Sequence, residues 1–302
     1  MPAMKEVLDL KTIDDYNAFL GLETLNPLVS LVDFSDVKVL KHRRKCFNFY
    51  GIFLKEKIHG SISYGRGKYD YQEGTLVFIA PGQVGGIDDD GETLNPGGHA
   101  LLFHPDLIRN TLLAKKMKDY TFFSYEVNEA LHMSDREKQT VMNCFAEIGE
   151  ELRHPIDRHS RAIIVSNIEV LLNHCLRFYD RQFATREPVN KDVLVRFEAL
   201  LNGYFDSGKP QDLGLPSVAW CAEQLHFSPN YFGDLVKKET GKSAIEYIHL
   251  AVIGRVKDLL MGTDKTVSEI AYEVGFQYPH HLSRMFKKIA GCSPLEYRVG
   301  LS

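Results

Sequence analysis

The chain has 302 residues, with 36 Lys and Arg against 40 Asp and Glu, for a net charge of −4. That length suits two ordinary domains, and a composition 44% hydrophobic and 25% charged is that of a soluble globular protein. The negative balance excludes a protein that coats nucleic acid through bulk positive charge, so any such affinity must come from local placement of Lys and Arg. The five cysteines, at 46, 144, 175, 221 and 292, are odd in number and include no Cys-x-x-Cys spacing. Cys144, Cys175 and Cys221 fall on apolar helix faces, as small buried thiols do. No signal-like segment opens the chain, and no apolar run approaches the ~18 residues of a membrane span. A reducing, cytoplasmic setting and no membrane partner are expected.

In chain order, Thr12 to Leu20 reads as a short helix, with Thr12 and Asp15 as a capping pair and Gly21 at its end. From about Leu28 to Leu107 the pattern is one of short strands: Leu28–Phe34, Cys46–Leu54, Gly60–Tyr64, Leu76–Ala80 and Ala100–Phe103. Gly65-Arg66-Gly67, Pro81-Gly82, Gly85-Gly86, Asp88 to Gly91 and Asn95 to Gly98 mark the breaks. Many short strands at such spacing imply a small antiparallel barrel or sandwich. Leu107 to Ala114 reads as a connecting helix.

Ser134 starts a longer helix, with Glu137 completing a capping box and Val141, Phe145, Ile148 and Leu152 on one face. His154 to Asp157 makes a turn, and a second helix follows through Ile164, Ile168, Leu171, Leu172, Cys175, Leu176 and Tyr179. The pair forms an antiparallel hairpin. Its second member has more apolar surface than one partner helix covers, which fits either packing on the barrel or a dimer interface. Arg181 to Asp192 loses apolar periodicity and contains Pro188 and Asn190, which places a domain boundary there. Val193 to Phe205 is a further helix, and Ser207 to Pro216 a loop.

Two short helices joined by a tight turn then occur twice. In the second copy Thr266 and Glu269 form a capping box, and Val267, Ile270, Ala271 and Val274 share a face. Gly275 breaks the helix, Phe276 plugs the turn, and Pro279 opens the next helix, where its missing N–H is not needed. Leu282, Met285, Phe286 and Ile289 make that helix's apolar stripe, with His280, His281, Ser283, Arg284, Lys287 and Lys288 off it, and Gly291 ends it. In the first copy Ser217 to Ala222 aligns with Thr266 to Ala271. Phe232, Leu235, Val236, Lys237, Lys238, Gly241, Ser243, Glu246 and Tyr247 align with Leu282, Met285, Phe286, Lys287, Lys288, Gly291, Ser293, Glu296 and Tyr297. The offset is 49 before the turn and 50 after it, so the second copy has one extra turn residue. A repeated supersecondary unit is stronger evidence than either copy alone.

Over Ile270-Ala-Tyr-Glu-Val-Gly-Phe276, Phe286-Lys-Lys288, Gly291-x-Ser-Pro294 and Glu296-Tyr-Arg298 the chain resembles the double helix–turn–helix DNA-binding domain of AraC/XylS-type transcription regulators. The resemblance covers about residues 190–302. Glu73 to Gly82 looks like the strand-then-Pro-Gly segment of cupin barrels, and sensor domains of such regulators commonly have that fold. The expected fold class is multidomain α+β. A cupin-like antiparallel β-barrel with a helical hairpin precedes an all-α domain of two helix–turn–helix units joined by a linker helix. Residues 1–185 would form the sensor and dimerisation domain (barrel about 22–125, hairpin about 134–182). Residues 186–302 would form the DNA-binding domain, with helix–turn–helix units at about 217–241 and 266–291.

The resemblance implies double-stranded DNA as a partner, RNA polymerase contact with activation, and homodimerisation through residues 134–182; the barrel-like segment and the two-domain layout motivate a small-molecule effector in the barrel. A rigid connector from about Ile245 to Met261 would set the two recognition helices in successive major grooves, about 34 Å apart. In the second copy the positions matching the family's DNA contacts are Pro279, His280, His281, Ser283 and Arg284. Arg284 can pair bidentately with guanine or clamp phosphate, and Lys287 and Lys288 suit phosphates. In the first copy the matching positions are Asn230, Tyr231, Gly233 and Asp234, with Lys237 and Lys238 behind them. Asn230 suits adenine and Asp234 can accept from cytosine. An Arg common at the Asp234 position in the family is missing, and Val236 replaces a usual Phe. The second copy is therefore expected to carry more of the affinity.

An enzyme is not expected, and neither a cofactor nor a metal site is assigned. His59, His99 and His104 are scattered among the strands without the His-x-His pair that cupin metal sites use. The basic run Lys41 to Lys45 reads as a solvated turn, with an anionic effector as the alternative. Two other readings stay open: a cupin-type metalloenzyme with a DNA-binding tail, and an interaction protein with a degenerate helix–turn–helix.

Overall fold

The computed structural model describes residues 7–37, 40–41, 44–55, 61–64, 67–70, 74–86, 93–94, 97–126, 129–185 and 187–300. His42 and Arg43 of the basic run, His59, Gly60, Gly65, Arg66, Glu73, Asp88 to Gly91 and Asn95-Pro96 lie outside the described residues. The chain divides into two compact units, Met1–Thr185 and Arg186–Ser302.

The first unit opens with β1 (Leu8–Leu10) and α1 (Ile13–Leu20). Thr12 and Asp15 cap α1 reciprocally, and Gly21 ends it at φ 73°. Then come β2 (Val29–Asp33), β3 (Leu40–Lys41), β4 (Arg44–Phe47), β5 (Tyr50–Lys55), β6 (Ser61–Tyr64) and β7 (Gly67–Asp70). They are followed by β8 (Thr75–Ile79), β9 (Gln83–Gly86), β10 (Thr93–Leu94), β11 (Gly98–Phe103) and, after two short helices, β12 (Leu131–His132). One sheet runs β1-β4-β9-β6-β7, a second β12-β8-β5-β11-β2, and β10 pairs with β3. Only the β1–β4 pairing is parallel among the described strands. Among the described residues no pairing joins the two larger sheets, so no closed barrel is formed.

Both sheets feed one apolar cluster. Phe47 of β4 and Leu10 of β1 meet Phe53, Val77, Ile79, Ala100 and Leu102 of the opposite sheet, with Ile13 and Tyr16 of α1 among them. The second sheet is buried on its other face too. Phe78 packs on Phe122 at 4.3 Å and on Tyr179 at 6.1 Å, so all five residues of β8 are buried. A strand buried on both faces shows an unbroken apolar run rather than alternation.

The expected strand Cys46–Leu54 is two strands, β4 and β5, which belong to different sheets. The break is at Asn48-Phe49: the Asn48 N–H donates to Leu10 O at 3.0 Å, and Phe49 turns fully into the core. Gly85-Gly86, read as a break, lies within β9 and pairs with Lys45 and Arg44. The connecting helix expected at Leu107–Ala114 is α2 (Pro105–Ile108) and α3 (Leu112–Lys116), separated by Asn110 at φ 63°. His104 caps α2 by accepting from the Asp106 N–H at 3.2 Å. Arg161 donates to Leu107 O at 2.9 Å and Arg109 O at 2.7 Å, serving carbonyls at its C-terminal end.

The hairpin is α4 (Asp135–Arg153) with α5 (Ser160–Thr185). The Ser134–Glu137 capping box is present. Much of the apolar face of α5 packs inside its own unit, as the Tyr179 contacts with Phe78 and Phe122 show. Ile163 and Val170 are the large apolar side chains of α5 left exposed among the described residues. Cys175 is fully buried and Cys144 half-buried, and burial raises both thiols.

The second unit consists of α6 (Glu187–Asp206), α7 (Lys209–Leu213), α8 (Val218–Gln224), α9 (Pro229–Thr240), α10 (Ala244–Gly262), α11 (Val267–Glu273), α12 (Pro279–Ala290) and α13 (Pro294–Gly300). The expected break in helical structure at Arg181–Asp192 is instead the end of α5 and the start of α6. Its apolar pattern fails because buried polar groups occupy inward positions. Gln182 accepts from the His132 N–H at 2.8 Å and donates to Ala130 O at 3.2 Å, while Asn190 donates to Glu239 at 2.9 Å. The loop expected at Ser207–Pro216 contains α7.

Arg298 ties the last helix back. It donates to Leu260 O at 2.9 Å and Lys265 O at 2.7 Å, joining α13 to the end of α10 and the entry of α11. Gly275 fixes the other side. It sits at φ 98°, and a Cβ there would lie 2.8 Å from Gly214 C and 3.0 Å from Pro210 O. Gly275→Ala should lower unfolding stability by about 2 kcal/mol or more, read from urea melts, because left-handed strain adds to a backbone clash. Gly254→Ala, in exposed α10 with open space around it, should instead raise stability by roughly 0.5–1 kcal/mol.

Candidate nucleic-acid interface

Each repeat builds its turn with the same backbone bond. The Phe227 N–H donates to Ala222 O at 2.9 Å, and the Phe276 N–H to Ala271 O at 2.8 Å. His226 takes φ 64° where the second copy has Gly275 at φ 98°, so the first copy carries a left-handed residue with a side chain. Ser228 caps α9 by accepting from the Tyr231 N–H at 3.3 Å, whereas Tyr278, before α12, makes no side-chain cap. Both helices carry Pro in their first turn and end on a left-handed glycine, Gly241 or Gly291. Capping pairs Ser243–Glu246 and Ser293–Glu296 then start the next helix in each case.

α12 presents a basic outer face. Leu282 and Phe286 are fully buried, while His280, His281, Arg284, Lys287 and Lys288 are exposed. Pro279 and Ser283 are half-buried, and the Ser283 hydroxyl donates to Pro279 O at 3.2 Å. At the start of the helix the rings of His280 and His281 meet edge to face at 4.3 Å, with Tyr278 5.7 and 5.6 Å away. Desolvation, the His280 charge and the Arg284 guanidinium hold the His281 imidazole below its ordinary value. At neutral pH His281 therefore offers one donor and one acceptor rather than a charge. Arg284 and Lys288 also flank a 620 Å³ groove against His249 and Leu250 of α10.

The matching face of α9 is different. Asn230, Lys237 and Lys238 are exposed, and Gly233 and Asp234 are half-buried. Tyr231, expected on the DNA-reading face, is only 3% exposed: its ring stacks on Phe227 at 5.5 Å. It is a core residue at the position where α12 has exposed His281, because the shorter first turn lets Phe227 cover it. Sequence reasoning also passed over Tyr278, 55% exposed at the mouth of α12. The extra turn residue of the second copy was the signal that could have found it.

The two helices are joined by α10, whose 19 residues span about 28 Å at the usual helical rise. Ile248, Val252, Ile253, Val256 and Leu260 bury one side of it. Val236, in place of a larger aromatic, is fully buried. Phe232 packs edge to face on Phe197 at 4.9 Å, as Phe286 packs against Tyr297 at 5.4 Å. Among the described residues no group of three or more His, Cys, Asp or Glu is placed to hold a metal ion. Nor is any helix among them long and apolar enough to cross a membrane.

A duplicated helix–turn–helix, each with a longer helix whose buried stripe packs against a short partner helix, defines the class of the second unit. Residues 221–299 match the family model described as a helix-turn-helix domain. The C-terminal region carries a helix–turn–helix domain. It is 38% identical over 92 residues to the transcriptional regulatory protein YesN of Bacillus subtilis, covering 29% of this chain and 25% of YesN. It is 30% identical over 151 residues to the HTH-type transcriptional regulator YijO of Escherichia coli, half of each chain. A third relative is the HTH-type transcriptional activator RhaS of Salmonella paratyphi A, 27% identical over 168 residues, 55% of this chain and 57% of RhaS. The chain thus spans between a quarter and about half of the length of these relatives.

The repeats make opposite demands at one aligned position. Tyr231→Ala should cost about 3 kcal/mol of stability, as removal of a buried aromatic does. His281→Ala should change stability by less than about 0.5 kcal/mol. Denaturant unfolding of the two variants is the measurement.

Proposed function

We propose that the protein is a sequence-specific, double-stranded-DNA-binding transcription regulator, read mainly by α12. The observation that carries this is the exposed set His280, His281, Arg284, Lys287 and Lys288 on a helix whose other face is buried. Arg284 and the imidazoles reach base edges, while the two lysines meet phosphates. α9 is the weaker reader: Asn230, Lys237 and Lys238 contact DNA, and Asp234 limits the approach to phosphate. The names of the relatives support a regulator rather than an enzyme, and that of RhaS supports activation; contact with RNA polymerase is part of the same reading.

The two sheets of the first unit, facing one core, support a cupin-like sensor for a small-molecule effector. Homodimerisation through the α4–α5 hairpin rests on exposed Ile163 and Val170, a narrow strip. A cytoplasmic setting follows from the regulator reading.

In a binding titration against fragments selected from genomic DNA, Arg284→Ala should weaken affinity at least tenfold, and Asp234→Ala should leave it unchanged or improve it. A larger loss from Asp234→Ala would sink the assignment of α12 as the main reader. Lys287→Ala and Lys288→Ala should each weaken all sequences alike and lower the slope of log affinity against log salt by about one. A salt-independent interaction would instead support an interaction protein with a degenerate helix–turn–helix.

A further inference from the structure

The 620 Å³ groove beside α12 is lined by two rows from that helix. Arg284 and Lys288, four residues apart, make an exposed row, and Met285 and Ile289 make a half-buried row next to it. The opposite wall is the start of α10. Lys242 stands in the turn before that helix, and Glu246, His249 and Leu250 follow on its groove face, with Leu250 39% exposed.

The groove thus has an apolar floor of Leu250, Met285 and Ile289. Its rim carries three cations, Lys242, Arg284 and Lys288, against the one carboxylate of Glu246, an excess of two positive charges. Ser243 holds that carboxylate at the start of α10, its N–H donating to Oε2 at 2.8 Å and its hydroxyl at 2.7 Å. A cleft of one sign with low-dielectric walls concentrates its field on an entering anion.

His249 is half-buried among these charges: Glu246 on its own helix, Lys242 in the preceding turn, and Arg284 and Lys288 on α12. Burial first, and then the Lys288 charge, hold its imidazole below the ordinary value, with Glu246 opposing. It is therefore neutral in the free protein at neutral pH, and an anion seated beside it favours its protonation. A DNA strand matches both parts of the groove, with phosphates for the rim and sugar faces between them for the floor. A strand held by Arg284 and Lys288 also passes the mouth of this groove.

We propose that the groove between α10 and α12 seats the DNA backbone beside the major groove read by α12, with Lys242 and His249 as two further phosphate contacts. Calling them DNA contacts rests on the regulator reading, and extends the interface to the helix that joins the two repeats. Phosphate contacts position without reading sequence, so these residues set the seating of α12 rather than its choice of bases.

The test titrates full-length protein with fragments selected from genomic DNA, over a range of salt and at about pH 6 and about pH 8, either side of the ordinary histidine value. Lys242→Ala should weaken every sequence at least threefold and lower the slope of log affinity against log salt by about one. The turn survives that change, because the backbone N–H of Lys242 makes the bond to Thr240 Oγ1 at 3.1 Å. His249→Gln should bind as the native chain does at the higher pH and at least threefold more weakly at the lower one, where the native imidazole is protonated in the complex. His280 and His281 are present in both chains, so the difference between them isolates His249. His249→Lys should recover the lost affinity, which a histidine with a packing role alone would not allow. Native affinity and salt slope in Lys242→Ala, or native affinity at the lower pH in His249→Gln, would overturn the proposal. With Arg284→Ala still damaging, the regulator reading would survive that result, and the groove would suit an acidic protein segment instead. A native chain that selects no fragment would overturn both.

Discussion

The backbone bond from the Phe276 N–H to Ala271 O, with its counterpart from Phe227 to Ala222, sets the angle between the two helices of each repeat. That bond requires the preceding residue to turn left-handed, at Gly275 or His226. In the second copy the turn also presses against Gly214 and Pro210, so a side chain at 275 has no room. The position of α12, and with it every exposed polar side chain it carries, depends on this one close approach. Arg298 closes the arrangement from the other end by holding three carbonyls between α10 and α11.

From that shared turn the copies diverge in what they expose. One extra residue before α12 leaves Tyr278 and both imidazoles at the surface. The shorter first turn brings Phe227 over Tyr231 and takes that side chain into the core. Two similar sequences therefore give a rich polar surface on one helix and a sparse one on the other. The difference lies in turn length, which acts on packing before it acts on any ligand.

In the first unit the second sheet is covered on both faces, by the opposing sheet and by the segment around Phe122 and Tyr179. That burial leaves α5 little apolar surface to spare, which an apolar helix read in isolation suggests in abundance.

The helices of the second unit were legible because their signals are local. Capping pairs such as Thr266–Glu269, the glycines at 241 and 291, and the apolar stripe through Leu282 and Phe286 each act within one or two turns of chain. The hairpin helix behind Ser134–Glu137 was legible for the same reason. The strand order, the transfer of chain between sheets at Asn48-Phe49, and the burial of Gln182 and Asn190 were not, because they depend on partners remote in the chain, about 50 residues away for Gln182 and Asn190. The sequence alone determined the repeated helix–turn–helix and which of its residues are polar, since 3.6-residue periodicity and capping are properties of neighbours. Only the tertiary structure decided that His281 faces outward while Tyr231 faces in, and that the strands on either side of Asn48-Phe49 join different sheets, because packing joins residues that the chain keeps apart.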